Sequence, residues 1–311
     1  MKPLLAVALF FALPACAQGT LTTEEKQRLV ADVAATFEER FVNEARGREI
    51  AAELRRIELP AATTPAEFAT AMTAAIHKIE NDGHLRLTWN AGGGTQPGPP
   101  GFSPEVARKN NYDFRRVRHL DGNVGYFEVN LLHPPQAARE TVTALFQFLQ
   151  HVDAMIIDLR GTRGGSQEMV NLISSYFFPA DGRELLTSRF RDQAPRVSRV
   201  VDVGGKRLEK TDLYILIGPG TFSAGEALAY ILQQYGRATI VGEKTHGGGR
   251  HNAFVPLGNG FTFSVSVGEV VHPVSKRGWQ GTGVIPDVVT KADDNPVDVA
   301  HNLALQKMKK G

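Results

Sequence analysis

Cysteine is almost missing from this chain: Cys16, near the amino terminus, is the only one. A disulfide framework is excluded, and an exported protein of this size does not need one. A surplus of one charge is missing as well. The 35 Lys and Arg residues stand against 33 Asp and Glu, with no long basic block and no interleaving of basic and aromatic residues. Gripping a phosphate backbone requires such a surface, so nucleic acid is not an expected partner. The apolar stretch from Leu4 to Leu13 is too short for a permanent bilayer span. No glycine-rich phosphate loop with its lysine, no internal repeat and no His, Cys or Asp cluster at metal spacing is present, so neither a metal nor an organic cofactor is expected. What the chain does have is 42% hydrophobic residues over 311 positions, enough for one large core or two modest ones, which excludes disorder as a whole-chain description.

The first residues, MKPLLAVALFFALPACAQG, join a basic start at Lys2 to an apolar stretch and a small-residue site at Ala15-Cys16-Ala17. This is the layout of a secretory signal over residues 1–17, cleaved after Ala17, and it implies an exported protein, periplasmic or secreted. An alternative has Cys16 as a lipidated first residue, the one route by which a membrane enters the reading. Residues 18–88 read as a helical domain. Leu29, Val33, Phe37 and Phe41 recur at helical spacing, and Thr22 and Thr64 are followed three positions on by Glu25 and Glu67. Residues 89–111 are rich in Gly and Pro and read as a linker, too short for a PDZ domain. From 112 to 295 strand-like runs at 124–132, 154–159, 213–217 and 238–241 alternate with helical patterns at 137–149, 167–178 and 224–234. That order predicts an α/β core with partly parallel central strands, closed by a hairpin over 254–271. Residues 296–311 are left as a tail.

Three segments of this core end in glycine-rich turns, where backbone N–H groups become free to bind something. In DLRGTRGGS, Gly164 and Gly165 lie between a strand and a helix start, either as a tight turn or as half of an oxyanion hole. In GPGTFSAGEALAY, Ser223 fits a helix cap with Glu226 behind it, and fits equally a nucleophile at a helix N-terminus, where the Ala224 amide and the helix dipole favour negative charge. The third comprises VGEKTHGGGR and, downstream, GWQGTGVIPDV.

In order and spacing, DLRGTRGGS, TFSAGEALAY, GRATIVGEKT and GVIPDV resemble the serine peptidases that include the C-terminal processing (tail-specific) proteases, the tricorn core and the repeats of interphotoreceptor retinoid-binding protein. The resemblance covers about residues 120 to 290, and the helical front section is similar to that of retinoid-binding-like bacterial members. It implies a ClpP/crotonase-like core, hydrolysis of peptide bonds in a peptide or protein substrate, and Ser223 as nucleophile, with the amides of Ala224 and of Gly164 or Gly165 holding the oxyanion. The processing branch carries a catalytic lysine where this chain has Gly248; Lys244 matches a different family position. The tricorn and retinoid-binding-like branches have an upstream histidine, and Asp82-Gly83-His84 looks like that segment, which makes His84 the expected base, with His246 and His251 as fallbacks. The family's glutamate after tryptophan is here Gln280, expected to orient the histidine through its amide oxygen, with Glu243 as the other candidate. The departures at Gly248 and Gln280 also leave open a binding protein for apolar ligands or peptides on the same scaffold.

Overall fold

The structure is a computed structural model that describes residues 19–91 and 103–310. The expected signal segment with Cys16 and residues 92–102 of the expected linker lie outside the described residues, and the described end of that linker forms a short helix rather than loop alone. In chain order the elements are α1 (Thr23–Arg40), α2 (Glu44–Leu54), α3 (Pro65–Ile79), β1 (Arg86–Trp89), α4 (Pro104–Lys109), β2 (Phe114–Leu120), β3 (Val124–Val129), α5 (Pro135–Phe148), β4 (Ala154–Asp158) and α6 (Gln167–Ser175). The second half runs β5 (Glu184–Phe190), β6 (Gln193–Arg199), β7 (Asp212–Ile217), α7 (Ala224–Gln234), β8 (Thr239–Gly242), β9 (Arg250–Gly258), β10 (Phe261–Val271), β11 (Val288–Val289) and α8 (Pro296–Met308).

Local chemistry starts the first helices where the sequence predicts. Thr22 Oγ1 accepts from Glu25 N, Glu25 Oε2 accepts from Thr22 N at 2.8 Å, and Thr64 with Glu67 repeats the exchange at α3, with Pro65 at the first helical position. The apolar stripe of α1 then packs on a sheet: Phe37 lies 5.5 Å from Phe41 and 5.3 Å from Phe263 of β10. This departs from a separate helical domain ending at residue 88. β1 pairs antiparallel with β10, so α1 to α3 form the outer layer of a mixed unit whose core is shared with the sheet.

That sheet has five strands, with β9 along one edge of β10 and β1 and β5 in succession along the other, β6 lying outside β5. The hairpin begins four residues before the expected position, at Arg250, and β5 and β6 have no counterpart in the expected elements. The second sheet has six strands in the order β11-β8-β7-β4-β3-β2, parallel except for the antiparallel β2–β3 pair. Its central strands β3, β4, β7 and β8 are apolar on both faces because both are covered, whereas the edge strand β2 is exposed. Phe127, Met155, Ile157, Ile215 and Ile217 join the core under α5, α6 and α7, whereas Tyr126, Ile156, Tyr214 and Leu216 pack against Ala300 and Ala304 of α8. The expected tail is therefore largely a structural helix.

Candidate active site

Parallel α/β sheets leave a crevice beyond the carboxyl ends of their strands, and here β4 and β7 open into it side by side. Two loops follow them and interlock. Phe222 N donates to Thr162 O at 2.9 Å and Thr221 Oγ1 donates to Leu159 O at 2.9 Å. Added Cβ atoms on Gly220 and Gly225 would come within 2.6 Å of Arg160 O and 2.9 Å of the Thr162 side chain, so the loops can approach this closely only as glycine.

Ser223 stands at the turn from β7 into α7 with φ 52° and ψ −113°, a conformation costly for a residue with a side chain and one found where neighbouring contacts hold a functional group in place. The cap chemistry belongs to Glu226, whose Oε2 accepts from Ser223 N at 2.8 Å. The hydroxyl is left for another partner. His84 Nε2 lies 3.1 Å from Ser223 Oγ, across 139 positions of sequence. Behind the ring, Asp82 Oδ1 accepts from His84 N at 3.0 Å and faces His84 Nδ1 at 3.3 Å. A carboxylate beside Nδ1 keeps the proton there, so Nε2 is free to accept the serine proton. Burial works to raise the Asp82 pKa, but the hydrogen bonds from His84 and Ser266 prevail and hold it well below the usual carboxylate range. The Phe222 ring lies 4.7 Å from the imidazole and fixes its other face.

The glycines of the first loop line the same hydroxyl. A Cβ on Gly164 would sit 3.2 Å from Ser223 Cβ, and Gly164 and Gly165 take φ of 114° and 133°. The turn is tied to the neighbouring segment, with Leu132 N donating to Gly164 O and Ser166 N to Leu132 O, while the N–H groups of Gly164 and Gly165 donate to no acceptor among the described residues. Together with the Ala224 amide at the start of α7, this is a set of donors available to an oxyanion.

Other expected residues lie elsewhere. Gln280 does not orient the histidine: its Oε1 accepts from Gly249 N at 2.8 Å and anchors the glycine loop. Glu243 and Lys244 are exposed. His251 Nε2 pairs with Ser188 Oγ at 2.7 Å, and the exposed His246 packs edge-on against Phe222. Gly248 is glycine because an added Cβ would come within 2.3 Å of the Phe222 ring, which occupies the space a longer side chain would need.

Sequence reasoning missed two carboxylates. Asp82 was legible as an acid two positions before the histidine in a turn, a spacing at which Asp side chains reach the backbone N–H. The fully buried Glu226 accepts from Ser223 N, Thr245 Oγ1, Gly247 N and Gly248 N, all at 2.6 to 2.8 Å, and so joins the glycine loop to the serine backbone. Its capping role was visible; its partners in the glycine loop were not.

The model of peptidase family S41 matches residues 123–290, more than half of the chain and the whole span of these loops. The chain belongs to peptidase family S41. A carboxyl-terminal-processing protease of Synechocystis is 29% identical over 197 residues, covering 61% of this chain and 44% of that protein, so the chain aligns with less than half of its relative's length. Among solved S41-type folds, the photosystem II D1 C-terminal processing protease superposes with a TM-score of 0.54 at 18% identity, over 90% of this chain and 96% of that one. The tricorn protease gives 0.58 at 11% identity, over 93% of this chain and 37% of the other. These likenesses bear out the expected α/β core with its helical front section.

Proposed function

We propose that this S41 protein is an exported serine peptidase of the C-terminal processing type. Ser223 attacks the scissile carbonyl, and His84 takes its proton and returns it to the leaving amine. Asp82 orients the imidazole in the role expected of Gln280, and the amides of Ala224 and of Gly164 or Gly165 receive the oxyanion. The observation that carries the reading is the 3.1 Å approach of His84 Nε2 to Ser223 Oγ with a buried carboxylate behind the ring. A serine at its free pKa is a poor nucleophile, and this pairing supplies the base it needs. Peptide or protein as substrate class is supported by the relatives' names, and export by the signal-like first residues. Among the described residues no helix is long and apolar enough to cross a membrane.

The test is labelling with a fluorophosphonate. The purified protein is expected to react at Ser223, with labelling lost in Ser223→Ala and in His84→Ala. Folded protein that stays unlabelled, or labelling that survives Ser223→Ala, overturns the assignment.

A further inference from the structure

Behind Asp82 a row of alternating charges continues away from the crevice. Arg250, the first residue of β9, places Nη1 3.0 Å from Asp82 Oδ2 and 3.0 Å from Glu80 Oε1. Glu80 Oε2 in turn meets Arg46 Nε of α2 at 3.1 Å, and Arg46 reaches Glu49 and Glu53 on the outer face of that helix. The arginine side chain of the inner pair is only 17% exposed, as is that of Glu80, and its guanidinium lies 5.0 Å over the ring of Phe41, so it is held in one place. Asp82 does not need Arg250 to keep its orientation. Ser266 Oγ donates to Oδ2 at 2.6 Å, and His84 N donates to Oδ1 at 3.0 Å. What the guanidinium alone adds is a positive charge on the far side of the carboxylate.

We infer that Arg250, backed by Glu80, is a positioning residue for the base: it shares the charge of Asp82 and so sets how firmly that carboxylate draws a proton onto His84. This rests on the Ser223–His84–Asp82 reading above. Two demands on the acid conflict. It must steady the imidazolium that forms when Ser223 attacks, yet it must leave the imidazole unprotonated beforehand. A cation fixed behind the acid moderates its pull, and the anion of Glu80 moderates the cation. Charged and titratable groups near the imidazole come from several segments: Glu80 and Asp82 on its own turn, Arg250 and His251 on β9, His246 on the glycine loop, Arg46 on α2, and Glu226 of α7 behind the Ser223 backbone. Of these, only Arg250 both touches Asp82 and carries a permanent charge.

The readout is the rate of fluorophosphonate labelling of the full chain against pH, which has an acid limb where His84 gains its proton. Arg250→Gln is expected to move that limb to higher pH by about one unit, the size of one charge removed at close range in a partly screened site. Glu80→Gln is expected to move it the opposite way, by less. Arg250→Lys, which keeps the charge, is expected to stay nearer to the unmodified protein than Arg250→Gln does. Limbs that stay fixed in both charge-removing variants, or that move in the same direction, overturn the inference, even where the rate falls at every pH as a purely structural role predicts. If Arg250→Gln fails to fold by circular dichroism, the direction of the Glu80→Gln shift decides. An unmodified protein that is not labelled at Ser223 sinks the underlying triad reading, and this inference with it. Labelling at Ser223 with unmoved limbs sinks the inference alone.

Discussion

At the scale of single residues, the proposed chemistry rests on where two side chains point. Asp82 is buried and faces His84, whereas Gln280 is committed to a backbone amide of the glycine loop. On the proposed mechanism, Asp82→Asn should lower kcat/KM by about a thousandfold or more, as losing the carboxylate behind a catalytic histidine does in serine hydrolases. Gln280→Glu should not raise it. Steady-state kinetics on one peptide substrate checks both. Gly248 offers a related check. Restoring a lysine there should not create a serine–lysine pair, because the ring of Phe222 already fills that space. Gly248→Lys should lower both Tm and Ser223 labelling, measured by thermal melts and the same probe. Asp82 was overlooked in the sequence because nothing local separates an acid that caps its own turn from one that also serves a histidine. Only its distance from the ring does that.

Elements show their physics in how their ends and buried faces respond to change. The α3 start combines Thr64, Pro65 and Glu67, and Thr64→Ala should cost about 1 kcal/mol of stability, read from urea unfolding at pH 7. The end of β10 carries a different device. His272, directly after β10, is fully buried, its Nδ1 accepts from Val274 N and Ser275 N, and its Nε2 has no partner among the described residues. Burial pushes its pKa down from 6.5 to about 4. The folded state thus resists a proton that the unfolded chain accepts. The associated stability is fully present above pH 6.5 and is lost as pH falls from there toward 4, by up to about 3 kcal/mol. Urea unfolding at pH 7 and pH 4.5 should show that loss, and His272→Gln should flatten it. The helix caps and the parallel strands were readable because they depend on residues a few places apart. β5 and β6 were not, since β6 is almost wholly exposed and offers no apolar alternation to read.

For the whole molecule, the question is what the outer layers do. A front bundle acting only as a cover over the crevice could be removed without harm to the chemistry. Here the layer shares its core with β10 and leads directly into the turn that carries Asp82 and His84. A chain lacking residues 20–80 should accordingly lose Ser223 labelling altogether, where a mere lid would change only which substrates enter; the probe, being small, distinguishes the two. Removing α8 should expose Tyr126, Ile156, Tyr214 and Leu216 together and drive association, measurable by size-exclusion chromatography. The sequence alone determined the α/β core and the glycine turns, because caps, strand runs and turn glycines act over short spans of chain; Ser223 and His84 were singled out as nucleophile and base only through the resemblance to the family. Which acid stands behind the His84 ring was decided only in three dimensions. The bonds that seat this turn at the serine, from Arg250 and Ser266 to Asp82 and from His84 to Ser223, join residues 168, 184 and 139 positions apart, so they form only once the helical layer seats on the sheet.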